Sequence, residues 1–134
     1  MNSPAEQIAL LRKQMGGSLL IMAHHYQRSS VIRHADETGD SLELAKKTAL
    51  HPETERIVFC GVRFMAESAD ILSSERQTVY MPDTSAGCPM AGMATEKAMM
   101  RAWERLTDVS DDWIPVVYVN STAGIKACCG RLGG

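Results

Sequence analysis

Four short apolar runs, each set between helix-forming stretches, constrain this chain more than any other feature: Ser18 to Ala23, Arg56 to Cys60, Thr78 to Met81 and Ile114 to Val119. An apolar run without polar alternation suits a strand covered on both faces, and strands that alternate with helices build a parallel sheet with helices over it. The helices carry their own start signals. Ser3-Pro4-Ala5-Glu6 combines an N-cap, a proline at the first helical position and a glutamate three residues after the cap, and Ile8, Leu11 and Met15 share a face up to the Gly16-Gly17 stop. Asp40-Ser41-Leu42-Glu43 predicts a second start, with Leu42, Ala45 and Ala49 on one face and Glu43 four residues before Lys47; Gly39 closes a short helix ahead of it. Val62 to Leu72 reads as a helix after a turn at Gly61, and Thr95 caps one bearing Met99, Ala102, Trp103 and Leu106. Asp108 to Asp112 is a polar linker, and Asn120-Ser121-Thr122 leads into a short helical start through Ile125. The expected fold is therefore α/β, a parallel sheet flanked by helices in a three-layer α/β/α unit over residues 1–112. Residues 113–134 supply the opening strand of a second unit.

Composition removes several functions. With 14 basic and 16 acidic side chains in 134 residues, the chain has no basic stripe for a phosphate backbone, so nucleic acid is not an expected partner. No stretch approaches the roughly 20 apolar residues that span a bilayer, and the five from Leu19 to Ala23 are too few for a secretion signal. Four cysteines, irregularly spaced, do not form a secreted disulfide framework. The expected compartment is the cytosol, with no membrane partner.

Open α/β sheets bind ligands beyond the carboxyl ends of their strands. Here those ends carry His24, His25 and Tyr26, then Cys60 and Gly61, then Asp83 and the Cys88 loop, then Tyr118 and Asn120. Strand ends are polar in any soluble protein, yet His, Tyr, Cys and Asn together suit a site. His24 can act as acid, base or donor, or satisfy a loop carbonyl, and Tyr26 shares its face if extended geometry continues. Ser41, at a helix start, either caps or donates to an anion. Cys88, between Gly87 and Pro89, is a soft ligand or an inert thiol. Cys60 reads as a buried apolar side chain, Cys128-Cys129 lacks the C-x2-C spacing of a chelating loop, and Arg63 with Glu67 reads first as a surface ion pair.

Met22-Ala23-His24-His25-Tyr26-Gln27, Gly39 to Ala45, Phe59 to Glu67, Ala86-Gly87-Cys88-Pro89-Met90-Ala91 and Tyr118-Val119-Asn120 occur in the order found in the quinolinate synthase family, which the chain resembles from about Leu19 to Ala127. That resemblance implies a transferase of NAD and pyridine nucleotide biosynthesis that condenses iminoaspartate with dihydroxyacetone phosphate to quinolinate. It implies a 4Fe-4S cluster held by three cysteines, whose open iron acts as a Lewis acid. By motif, Cys88 is one cluster ligand. His24, Ser41, Tyr118 and Asn120 contact substrate, and Tyr26 assists proton transfer with His24. The L-aspartate oxidase that supplies iminoaspartate is an implied partner.

The family is built from three similar α/β units, and this sequence matches the first with the opening strand of the second. Where the family continues to Cys-Cys-Thr-Ser, this chain has Cys128-Cys129-Gly130-Arg131, and Arg131 to Gly134 reads as a truncated or frame-shifted end. One motif cysteine cannot hold a cluster that needs three, so the polypeptide on its own is expected to be inactive and to bind cluster poorly. The competing expectations are a non-catalytic dicarboxylate-binding or remnant α/β domain and, last, a zinc or electron-transfer protein using the four cysteines.

Overall fold

A computed structural model describes residues 3–134. The first start signal forms as its residues dictate: Ser3 Oγ accepts from the Glu6 N–H at 3.3 Å, and the Glu6 carboxylate accepts from the Ser3 N–H at 2.7 Å. From that capping box α1 (Pro4–Met15) runs to Gly16, which ends it at a φ of 53° that favours glycine. The chain divides into two units, Met1–Ala86 and Gly87–Gly134.

The first unit holds the whole sheet. After a single tight helical turn come β1 (Leu19–His24), α2 (Ser29–Ile32), β2 (Glu37–Gly39), α3 (Ser41–Thr48), β3 (Arg56–Cys60), α4 (Arg63–Leu72) and β4 (Thr78–Tyr80). All neighbours pair in parallel in the order β2-β1-β3-β4, with Ala23 opposite Thr38 and Cys60, and His24 opposite Gly39. The α/β fold and three of the four expected strands are as the apolar runs require. Gly39, however, ends a strand: the short helix before it is α2, and β2 lies between them.

Side-chain alternation sorts the two sheet faces. Leu20, Met22, Ile57 and Phe59 are buried on one, under α3 and α4, with Thr48 Oγ1 3.6 Å from Met22 Sδ. α3 buries Ser41, Leu44, Ala45 and Thr48, the i, i+3, i+4, i+7 positions, so the expected face through Leu42 is shifted and Leu42 is exposed. Gly61 lies where a Cβ would stand 2.8 Å from the Phe59 ring, which the core cannot move aside, so the turn after β3 takes only glycine. On the other face, Leu19, Ile21, Val58 and Cys60 meet Leu11 and Met15 of α1 across an apolar groove of about 510 Å³.

The short β2 is held from its flanks. Lys47 pairs with Glu37 at 3.0 Å and with Glu43 at 2.9 Å, the expected i,i+4 pair, while His51 Nε2 approaches Glu37 at 3.3 Å.

The second unit contains α5 (Glu96–Thr107), capped by Thr95 as expected, and α6 (Ala123–Arg131). The segment from Ile114 to Val119 is not a strand. Pro115 has no N–H to give a ladder, and no described strand of this unit pairs with it; Ile114 and Val116 remain 75% and 90% exposed. The helix after it is longer than its start signal implied: Thr122 Oγ1 accepts from the Ile125 N–H at 3.3 Å, and α6 continues through Cys128 and Cys129. Among the described residues no helix is long and apolar enough to cross a membrane.

Phe59→Ala removes the largest fully buried side chain and is expected to cost about 3–5 kcal/mol, as core phenylalanine truncations do. A urea denaturation midpoint close to that of the parent chain would show that this face of the sheet is not the core.

Candidate functional site

β1 delivers His24 to the sheet's carboxyl edge. The side chain continues the buried row of Leu20 and Met22 and is 8% exposed, whereas His25 and Tyr26 lie outside the strand and are exposed. The turn is closed by the Gln27 N–H donating to the His24 carbonyl at 2.9 Å, and the His25 N–H donates to the Gly39 carbonyl at 3.1 Å, extending the β1–β2 ladder by one bond. The three rings meet. His24 stacks on His25 at 4.4 Å with 28° between planes, His25 meets Tyr26 edge-on at 4.4 Å, and His24 lies 5.0 Å from Tyr26.

The Tyr26 N–H donates to His24 Nδ1 at 3.3 Å. An accepting Nδ1 carries a lone pair, so the proton of the neutral ring sits on Nε2. Burial, and then the neighbouring His25, lower the pKa of His24 from its usual value, against the opposing pull of Asp40. The site thus holds a largely buried imidazole that is kept neutral.

Asp40 and Ser41 follow β2 directly, so the pairing of His24 with Gly39 brings them to the same edge. Asp40 Oδ1 accepts from the Glu43 N–H at 2.8 Å; that bond, with smaller help from Leu42 and the two histidines, holds its carboxyl below the usual range. Ser41 is the first residue of α3 and is 8% exposed. The helix dipole at such a start favours an anion, and the Asp40 carboxylate, accepting from the Leu42 and Glu43 N–H groups, is the one already seated there. Of the residues singled out in the sequence, the structure gathers His24, Tyr26 and Ser41 in the first unit. Asp40 joins them as a charge on the histidines, a role its capping position concealed; only the strand pairing reveals it.

Cys88, Tyr118 and Asn120 belong to the second unit. Cys88 is half-buried in the loop before α5, and its carbonyl accepts from the Gly92 N–H at 3.2 Å. Tyr118 is exposed and Asn120 half-buried, on either side of Val119 and just ahead of the α6 cap. The other thiols are engaged in packing. Cys128 accepts from Arg131 at 3.1 Å, Cys129 Sγ donates to the Pro115 carbonyl at 3.2 Å, and burial pushes the Cys60 thiol up, away from the thiolate a metal needs. Adjacent residues on a helix point about 100° apart, so Cys128 and Cys129 are poorly placed to act as one pair of ligands. Among the described residues no three His, Cys, Asp or Glu side chains converge as a metal site. The residues of this stretch do not by themselves fit a 4Fe-4S cluster.

Residues 6–132 match the family described as Quinolinate synthetase A protein. The quinolinate synthase of Halalkalibacterium halodurans is 55% identical over 130 residues, covering 96% of this chain and 35% of that protein. Those of Geobacillus thermodenitrificans and Bacillus subtilis are 57% identical over 125 residues and 52% identical over 129, covering 92% and 96% of this chain and 34% and 35% of theirs. The chain spans about a third of the length of the curated relatives it matches.

The lowered pKa of His24 makes stability depend on pH with a definite sign. The unfolded chain binds the proton first, so stability is full above about 6.5, the ordinary histidine value, and falls as pH drops from there through the lower folded value. His24→Gln is expected to flatten the denaturation midpoint across that window. A slope unchanged by the substitution would place its origin in another group.

Proposed function

The chain belongs to the Quinolinate synthetase A protein family, and from that premise we propose that it forms the dicarboxylate-gripping part of a quinolinate synthase. The observation that carries this reading is the meeting of His24 and Tyr26 with the start of α3 at one sheet edge. The overall reaction joins iminoaspartate to dihydroxyacetone phosphate, releases phosphate and water, and closes the pyridine ring of quinolinate. L-aspartate oxidase is the supplier of iminoaspartate in this reading, and the cytosol its compartment.

Each residue has a chemical task. A neutral His24 with its proton on Nε2 can donate to a carboxylate without forming a fixed ion pair, and the Ser41 hydroxyl can donate to the same or the second carboxylate. Charge-assisted donation of this kind is stronger than a neutral hydrogen bond. Tyr26, 85% exposed and 5.0 Å from the His24 ring, stands where a phenol can pass protons between substrate and water during isomerisation and dehydration. Tyr118 and Asn120 are assigned to the substrate by family resemblance, and Cys88 to the cluster as one of its three thiolates. When bound, the 4Fe-4S cluster supplies a Lewis acid. Its remaining ligands must come from outside this stretch.

A second reading is favoured by the absence of a converging ligand set among the described residues: a dicarboxylate-binding domain without catalysis. The packed thiols of α6 count against a zinc or electron-transfer protein.

Calorimetry with L-malate, a stable four-carbon dicarboxylate, tests the grip. Binding is expected, with His24→Ala weakening it about tenfold, the order of one hydrogen bond to a charged group; malate that does not bind, or binds the variant equally, removes the reading. Anaerobic reconstitution of the 134-residue polypeptide with iron and sulfide is expected to give no 4Fe-4S absorbance. A stable cluster there would show that Cys88 finds partners within this chain.

A further inference from the structure

The His25 ring has no role in the reading above, yet it is in contact with both His24 and Tyr26. Its centroid is 4.4 Å from each, nearly parallel to the first ring and edge-on to the second. Its backbone is fixed by the N–H bond to the Gly39 carbonyl. We propose that His25 is a positioning residue of this site: stacked on His24 and edge-on to Tyr26, it opposes a second proton on His24 and so keeps the His24–Tyr26 pair available for proton transfer. The proposal rests on the dicarboxylate reading for its purpose, and on geometry for its mechanism.

Two imidazoles at stacking distance oppose each other's charge, because the second proton must enter beside the first. His24 is the disadvantaged member. It is buried, and its Nδ1 is already occupied as acceptor of the Tyr26 N–H, so a proton there would break that bond. Beyond burial, which disfavours the proton most, two groups act on it: His25, in the loop after β1, opposes the proton, and Asp40, at the N-cap of α3, attracts it.

The test is an NMR titration of the His24 ring in the full 134-residue chain. His25→Phe keeps a stacked ring without charge, and His25→Arg keeps a planar group with permanent charge. His24 is expected to titrate at higher pH in the Phe variant than in the parent chain, by about fivefold in proton affinity, the order for unit charges ~4 Å apart in a water-like dielectric, and the Arg variant is expected to keep it at least as low as in the parent. A shielding role alone would leave the Phe variant and the parent chain alike. Asp40→Asn retains the helix cap and is expected to move His24 the other way, to lower pH. L-malate added to the same samples moves the His24 resonance if the site takes a dicarboxylate, so failure of the parent reading is seen separately. Equal His24 midpoints in the parent chain and the Phe variant overturn the proposal whatever malate does.

Discussion

The backbone of Leu19–His24 is hydrogen-bonded along both edges, to Glu37–Gly39 on one side and Arg56–Cys60 on the other. The polar side is started by Asp36. Its N–H donates to the Ile21 carbonyl at 2.7 Å, its carboxylate accepts from the Ile21 N–H at 2.8 Å, and Arg12 of α1 pairs with the same carboxylate. That double tie fixes where β2 begins and therefore which residue stands opposite His24. A slip of one position in β2 would turn its own side chains, Glu37 among them, to the other face. It would also separate His24 from Asp40 and Ser41, and the candidate site would not exist.

The same register explains the electrostatics. His24 is buried because it lies in line with core residues, and it stays neutral because burial, a neighbouring histidine and a donated N–H all disfavour a second proton. Asp40 is ionised for a local reason, its bond from the Glu43 N–H, and acts on the histidines only through the strand pairing. One edge of a four-stranded sheet thus carries a neutral donor, a fixed negative charge and an exposed phenol. Of the thiols, Cys60, Cys128 and Cys129 are committed to packing.

Legibility followed the range of the forces involved. The helix starts at Ser3, Asp40, Thr95 and Thr122 were readable because a cap bonds within three residues. The apolar runs at Leu19 and Arg56 were readable because a central strand must be apolar on both faces. β2 was not: Glu37-Thr38-Gly39 is polar, short and at an edge, and it is a strand only because Asp36 ties it to Ile21. The run from Ile114 to Val119 misled for the opposite reason. It has strand composition but Pro115 interrupts it and no described strand of its unit pairs with it. The length of α6 was hidden by Gly124, Gly130 and two cysteines, poor helix formers that are held by the burial of Ile125, Cys128 and Cys129.

By itself the sequence determined the α/β class, most element starts, and the family through its ordered motifs, since these depend on local bonding and on residue identity. Tertiary structure decided which face of α3 is buried, that Asp40 faces two histidines, and that the His24 proton sits on Nε2. The first depends on packing against the sheet, the second on β1 meeting β2 between residues about fifteen apart in the chain, and the third on the turn that carries the Tyr26 N–H back to the His24 ring; parallel pairing at such a separation is set by the packed core rather than by any signal in the segment itself.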